Sequence, residues 1–122
     1  MNKFLSGRKG EDEAVRFLQE NGYRILARNV RAKFGEIDVV ARDGATLCFV
    51  EIKARSSLRF GLPEEALTAD KRRRLVRLAH WYLQRSRSAQ ASSFRFDVLA
   101  LLTDGGRQAA RIRLIKGAFE AA

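Results

Sequence analysis

The sequence is poor in the residues that build covalent or soft-metal frameworks. Its 122 residues include one cysteine and one histidine. A lone thiol, Cys48, excludes a disulfide framework, a CxxC redox pair and a thiolate zinc site. Nucleophilic chemistry at Cys48 would need a neighbouring base, and His80 lies in a helical segment with no sequence reason to approach it. Cys48 therefore reads as a core residue and His80 as an ordinary helix residue. No apolar run approaches the length needed to span a bilayer, and the opening MNKFLSGRKG lacks the apolar core of a signal peptide. A cytoplasmic protein is expected. Repeats and low-complexity tracts are absent too.

Acid is scarce relative to base: 14 Asp and Glu stand against 24 Lys and Arg, a formal net charge of +10. The stretch from Lys71 to Arg87 holds seven basic residues and no acid. This balance points to a polyanionic partner, nucleic acid ahead of an anionic membrane surface. A hydrophobic content of 46% and this length suit one core and a single domain over residues 1–122.

Against that background the acids of one stretch stand out. Gly35 to Lys53, GEIDVVARDGATLCFVEIK, reads as two strands joined by a tight turn at Asp43-Gly44. A turn of two or four residues centred there sets Val40 opposite Leu47, Asp38 opposite Phe49 and Glu36 opposite Glu51. Glu36, Asp38, Glu51 and Lys53 then share one face at the open end, while Ile37, Val39, Cys48, Val50 and Ile52 share the other. Like charges gathered in a partly buried place repel and resist desolvation. Two compensations are open: a hard divalent cation among the carboxylates, or Lys53 pairing with Asp38 or Glu51 on a solvated edge.

The rest of the chain alternates helix and strand. A helix is expected from about Glu11 to Asn21, stopped by Asn21-Gly22, with Ala14, Val15, Phe17 and Leu18 as its buried stripe. Glu11 lies three, four and seven positions before Ala14, Val15 and Leu18, which starts it on the inward stripe. Alternatively, Glu11, Asp12 and Glu13 complement the helix dipole. Tyr23 to Val30 reads as a strand, and Arg28, Arg31 and Lys33 bring positive charge towards the acidic end of the hairpin, suited to phosphate. Ala54 to Pro63, which contains Arg55, reads as a polar, mobile loop, and Glu64 to Leu67 as a short helical turn.

Thr68 caps a helix reaching about Arg85, with Leu75, Leu78, Ala79, Tyr82 and Leu83 towards a sheet. Lys71, Arg72, Arg73, Arg74 and Arg77 cover much of its remaining surface. Trp81 and Tyr82 are either core aromatics or stacking platforms for bases. Arg87 to Ser93 reads as a loop, and Phe94 to Leu102 as a central strand whose one acid is Asp97. Thr103 to Arg107 is a turn, and Ala109 to Lys116 an edge-like strand. Helix, three strands, helix and two strands make an α/β fold, a central mixed β-sheet of about five strands flanked by helices.

Asp38 followed by Glu51-Ile52-Lys53 on the next strand, with a glutamate on the preceding helix, resembles the PD-(D/E)XK nuclease superfamily in its Holliday-junction-resolvase-like branch. The chain is more similar still to the YraN-like family, through KGEDEA, NGYRILARNVR, FGEIDVVARDG, LCFVEIKAR, the FG-x-P of Phe60 to Pro63 and the RFDV of Arg95 to Val98. This resemblance implies a restriction-endonuclease-like three-layer fold. It implies that Asp38, Glu51 and the Ile52 carbonyl hold Mg²⁺ or Mn²⁺, that Lys53 is the motif lysine, and that Glu11 completes the metal shell. Ile37 stands where the general motif has proline, a position the resolvase branch commonly leaves unfilled. Glu36 belongs to the GEID pattern of the YraN-like family; its role and that of Asp97 stay open.

The implied activity is a metal-dependent endonuclease acting on DNA, including structured or branched DNA. The alternative is a catalytically weak or inactive nuclease-like module that binds nucleic acid. Phosphates would be held by Arg28, Arg31 and Arg55 and by Arg72, Arg73 and Arg77 of the basic helix. A homodimer is expected from the resemblance alone.

Overall fold

A computed structural model of the chain describes residues 7–55, 67–86, 93–102 and 111–120, with the side chains of residues 7–9 and 55 outside that description. The order of elements is α1 (Gly7–Glu20), β1 (Arg24–Ala32), β2 (Gly35–Asp43), β3 (Thr46–Arg55), α2 (Ala69–Arg85), β4 (Ser93–Leu102) and β5 (Arg111–Phe119). The strands form one sheet in the order β1-β2-β3-β4-β5. β3 and β4 run parallel, and the other neighbours are antiparallel. The parallel pair is joined through α2, the crossover that parallel neighbours need.

The two helices cover opposite faces, which makes three layers. Ala14, Val15 and Leu18 of α1 pack with Val39, Ala41, Cys48, Val50, Leu99 and Leu101. Leu75, Leu78 and Ala79 of α2 pack with Val40, Leu47, Phe49, Phe96 and Val98. Period-two alternation along β3 and β4 sends successive side chains to the two helices, so both strands are apolar on both faces. This is the expected mixed α/β sheet flanked by helices. Cys48 is buried in it, as its apolar neighbours required.

α1 ends as its sequence predicts. Gly22 takes φ 89, the Tyr23 N–H donates to the Leu18 carbonyl at 2.9 Å, and the Gly22 N–H donates to that of Gln19 at 3.1 Å. Its start differs: the helix begins at Gly7, four residues before the expected Glu11, and its first turn holds no acid. Glu11, Asp12 and Glu13 therefore do not act as dipole complements at a helix N-terminus. α2 begins as expected, with the Thr68 hydroxyl accepting from the Lys71 N–H at 3.2 Å.

From Val39 onward the hairpin keeps its predicted faces but not its predicted register. Asp43 pairs with Thr46, Ala41 with Cys48, Val40 with Phe49 and Val39 with Val50. The turn is centred on Gly44-Ala45, one residue later than Asp43-Gly44. That moves each pairing by two residues and so preserves which face a side chain takes. Gly44, at φ 63, fills the first central position, where a type II′ turn puts its glycine.

Two departures from regular geometry mark the open end of β2. Ile37 packs on the α2 side, whereas Val39 packs on the α1 side, so the alternation breaks at Asp38 and Ile37 does not share a face with Val39 as expected. Across the strand pair, between the partners Arg28↔Val39 and Val30↔Ile37, Asn29 sits at φ 52, a left-handed conformation that asparagine tolerates better than most residues. Gly35, at φ 155, lies directly under α2, where an added Cβ would meet the Arg74 side chain at 3.0 Å and Leu78 at 3.1 Å. Glycine there lets the helix sit close over the start of β2.

β3 continues to Arg55, so Ala54 and Arg55 extend a strand where a loop was expected. Most of the loop ending at Pro63, the FG-x-P segment and the turn at Glu64 lie outside the described residues, as do the loop from Arg87 and the TDGGR turn.

Candidate functional site

The site lies where β2 and β3 part. Their pairing runs from the turn as far as Val39↔Val50. At the next position the Asp38 side chain replaces the neighbouring strand: its Oδ2 accepts the Ile52 N–H at 2.8 Å. Beside it lies Glu51, and Lys53 Nζ is 3.6 Å from Glu51 Oε1, with these two side chains only 16% and 20% exposed. The break in alternation thus serves the site, since it sends the Asp38 carboxylate to the backbone of β3 instead of leaving it in a regular ladder.

Electrostatics separate this pair from ordinary surface acids. Burial, and then the negative charge of Glu51, push Asp38 up to about 7, even though the Ile52 hydrogen bond works the other way. Smaller contributions come from Glu36 and Glu11. Burial also raises Glu51, against the opposing effect of Lys53 and Lys71. Two half-buried carboxylates that share too little positive charge favour a proton or a cation between them.

The two helices bring in one further residue each. Glu11 of α1 is close enough for its charge to act on Asp38, but its own carboxylate is held by Asn29 Nδ2 at 3.2 Å and lies 3.6 Å from an Arg28 nitrogen. Among the described residues no three His, Cys, Asp or Glu side chains gather as a metal-binding group. The expectation that Glu11 converges with Asp38 and Glu51 on one cation is therefore not met: the Asn29 and Arg28 side chains hold Glu11 aside. Lys71, in the first turn of α2, is the residue that sequence reasoning missed. It lies by Lys53 and Glu51, and the neighbouring Lys53 ammonium holds it below the ordinary lysine range. Its only sequence signal is a position three residues after the Thr68 cap; that α2 begins beside the end of β3 is a tertiary fact.

The residues that fit a divalent cation are thus Asp38 and Glu51, hard oxygen donors of the kind Mg²⁺ and Mn²⁺ take, with the backbone carbonyl of Ile52 between Glu51 and Lys53 in the chain.

The basic residues are more divided than expected. Arg28 is committed to acids, with Nη2 at 2.8 Å from Asp12 Oδ1. Arg31 is 76% exposed and lies 3.6 Å from Glu36, which is itself 37% exposed. Arg72, Arg73 and Arg77 are exposed on α2, with Arg73 bonded to Asp70 and the Arg77 guanidinium 4.2 Å from the centre of the Phe34 ring. The Arg55 side chain is outside the described residues. Of the two candidate stacking rings, Tyr82 packs edge-on against Phe49 at 6.1 Å in the core, while Trp81 borders an open groove.

Asp97 belongs to a different centre, at the turn end of the hairpin. It is 1% exposed and accepts from Tyr23 Oη at 2.8 Å, Arg95 Nε at 2.8 Å, Arg95 Nη2 at 3.0 Å and the Gly117 N–H at 2.9 Å. Arg95 reaches on to Asp43 at 2.9 Å, and Lys116 Nζ meets the same Asp43 oxygen at 3.0 Å. The network joins the end of α1, the hairpin turn, β4 and β5.

Comparisons with known proteins agree with this architecture. A Holliday junction resolvase from Archaeoglobus fulgidus, Hjc, superposes with a TM-score of 0.56 over 90% of this chain and 76% of its own, at 23% identity, a likeness of fold. A UPF0102 protein of Caldicellulosiruptor saccharolyticus is 46% identical over 98% of this chain and 100% of its own length. One from Symbiobacterium thermophilum is 50% identical over 94% of this chain and 96% of its own. The model of the family described as "Uncharacterised protein family UPF0102" matches residues 10–101. The chain belongs to the UPF0102 family, the YraN-like family its motifs resemble.

Proposed function

We propose that this protein is a metal-dependent endonuclease that hydrolyses phosphodiester bonds in DNA, including structured or branched DNA. The observation that carries the reading is the fork of β2 and β3, where two undercompensated carboxylates, Asp38 and Glu51, flank a lysine. The resolvase-like fold and the basic surface support it.

Asp38, Glu51 and the Ile52 carbonyl would hold Mg²⁺ or Mn²⁺. Such an ion, when bound, supplies Lewis-acid polarisation of a phosphate oxygen and lowers the pKa of water at the site. Lys53 stands where an ammonium can orient the attacking water or meet the charge that develops on the phosphoryl oxygens. Lys71 adds a second ammonium on the same side, facing the incoming polyanion. Glu11 enters the metal shell only when it leaves Asn29 and Arg28. Arg31 and the Arg72, Arg73 and Arg77 face of α2 would neutralise flanking phosphates, so binding should weaken steeply with salt. The same reading sets the protein in the cytoplasm and, by likeness to resolvases, as a homodimer. Among the described residues no helix is long and apolar enough to cross a membrane.

The restraint of Glu11 favours one rival, a nuclease-like module that binds nucleic acid with little turnover. Cleavage decides between them. Purified protein is incubated with linear, single-stranded and four-way-junction DNA in Mg²⁺ and in Mn²⁺, beside Asp38→Ala and Lys53→Ala. The proposal expects cutting by the wild type and a loss of at least about 100-fold in both variants. No cutting by the wild type, or equal cutting by the variants, establishes the binding module instead.

A further inference from the structure

At the tip of the β1–β2 hairpin, against the C-terminal half of α2, lies a groove of about 580 Å³ lined by Arg31, Ala32, Lys33, Phe34, Trp81 and Arg85. Among the described residues its lining includes three cationic side chains, two aromatic rings and no acid. Arg31, Lys33 and Arg85 are exposed, while Trp81 and Phe34 are half-buried. We infer that this groove takes an unpaired nucleobase of a DNA strand, stacked on Trp81, while the phosphates of that strand lie along Arg31, Lys33 and Arg85. The inference rests on the nuclease reading and adds to it a substrate class, DNA with an unpaired segment beside the bond to be cut.

Four observations carry it. First, the ring is placed for contact from outside: Tyr82, the next residue, turns into the core against Phe49, whereas Trp81 borders the groove. Second, the rings are already organised by cations. The Arg85 guanidinium lies 4.8 Å from the Trp81 ring centre, and that of Arg77 lies 4.2 Å from Phe34. Planar guanidinium and indole surfaces are what unpaired bases stack upon, and such stacking does not depend on which base is present.

Third, the charge matches a phosphate chain and not a neutral or cationic ligand. Fourth, the groove lies near the acid pair along the same strand. Arg31 on its wall is 3.6 Å from Glu36, whose charge acts on Asp38. Phe34 precedes Asp38 by four residues of extended chain, a separation of about 13 Å at the usual strand rise. One DNA strand can therefore occupy both. A continuous duplex cannot offer the same contact, because its bases are stacked on each other and face inward.

The test uses the fact that Trp81 is the chain's one tryptophan. Full-length protein in EDTA, where metal-dependent cleavage plays no part, is titrated with a mixed-sequence single strand, its blunt duplex, and the same single strand carrying abasic sites. Indole emission is followed in the wild type, and the anisotropy of end-labelled DNA gives the affinities of the wild type and of the Trp81 variants, which carry no indole. The single strand should quench Trp81 and bind more tightly than the abasic strand. Trp81→Ala should weaken single-strand binding on the order of tenfold while leaving the abasic strand within about twofold. Trp81→Phe, which keeps a ring and guards against a folding defect, should retain most of the affinity.

Equal binding of normal and abasic strands by the wild type, or equal losses for all three DNAs in Trp81→Ala, would overturn the inference. The two readings fail separately. Base-dependent quenching without cleavage in Mg²⁺ or Mn²⁺ removes the nuclease and leaves the groove. Cleavage without base dependence removes the groove and leaves the nuclease.

Discussion

Asp97 and Asp38 are acids in adjoining parts of one sheet, and the protein treats them in opposite ways. Asp97, on the α1 face, is almost wholly buried and accepts four hydrogen bonds within 3.0 Å, two of them from an arginine. Asp38 is less buried, yet it accepts one backbone N–H and faces a second carboxylate. Burial alone would predict the reverse allocation, because the more deeply buried charge costs more. That cost is met at Asp97 by donors and left largely unmet at Asp38. A saturated acid holds elements together; an unsaturated one keeps its oxygen lone pairs for a ligand.

The same substitution at both positions should break or uphold this contrast with the largest effect. Asp97→Asn leaves the Arg95 charge with Asp43 as its one remaining carboxylate and sets an amide NH₂ against Tyr23 or Arg95 in a buried place. A loss of about 3–5 kcal/mol is expected in urea unfolding. Asp38→Asn keeps an acceptor for the Ile52 N–H and removes one of two repelling charges, so the metal-free protein should be unchanged or more stable at pH 8. Equal losses at the two positions would mean that Asp38 is a structural acid and the fork no site.

Next in size is the response to divalent ions. A cation that binds the folded state alone stabilises it by about 2.7 kcal/mol at a concentration 100 times its dissociation constant. Thermal unfolding at pH 8 with and without Mg²⁺ or Mn²⁺ should show such a gain for the wild type and none for Asp38→Asn or Glu51→Gln. Glu11→Gln should keep most of it, since Asn29 and Arg28 already hold Glu11 away from the pair. A wild type indifferent to both ions would leave the carboxylates without their proposed ligand.

Much of the contrast was legible in the sequence, for reasons that differ by residue. Period-two alternation is local, so the common face of Glu51 and Lys53 followed from counting, whereas Asp38 meets them through a break in that alternation. A one-residue error in the turn centre left that face intact because register moves in steps of two. Gly44 fits either central position of a short turn, which is why the sequence alone does not choose between Asp43-Gly44 and Gly44-Ala45. What escaped was tertiary. The reversal of Ile37 lies across from a left-handed Asn29 on another strand, and Lys71 comes to the site on α2, a helix that passes close over Gly35 of β2. Asp97 announced itself only as the one acid of an apolar strand, and its four donors come from three separated segments.

The pH dependence of stability sharpens the comparison further, because the two ends of the hairpin have opposite signs. Asp38 is raised from the usual carboxylate range to about 7, so the folded state binds its proton more tightly than the unfolded chain. Its contribution is favourable at acid pH and is lost as pH rises from about 4 to about 7. Asp43, beside Arg95 and Lys116, is lowered, first by their hydrogen bonds, so its contribution is present above the ordinary range and lost as pH falls through its folded value. Unfolding midpoints in EDTA should therefore show Asp38→Asn gaining on the wild type as pH rises. Asp43→Asn should lag most at neutral pH and recover towards acid. Parallel curves for the two variants would remove the electrostatic distinction.

The smallest expected effect isolates a single donor. Tyr23 closes α1 against the sheet, and its hydroxyl both donates to Asp97 at 2.8 Å and accepts from Arg95 at 3.1 Å. Burial and the Asp97 hydrogen bond hold that hydroxyl well above the ordinary tyrosine range, so it stays a donor throughout. Tyr23→Phe removes the oxygen but keeps the ring that packs with Leu18 and Val39, and Asp97 retains three of its four donors. The loss should be about 1 kcal/mol, the net worth of one buried hydrogen bond, and it should be absent when Asp97 is already asparagine. A loss that persists in the double variant would place the value of Tyr23 in its packing, and the saturation of Asp97 would then rest on Arg95 and the Gly117 backbone alone.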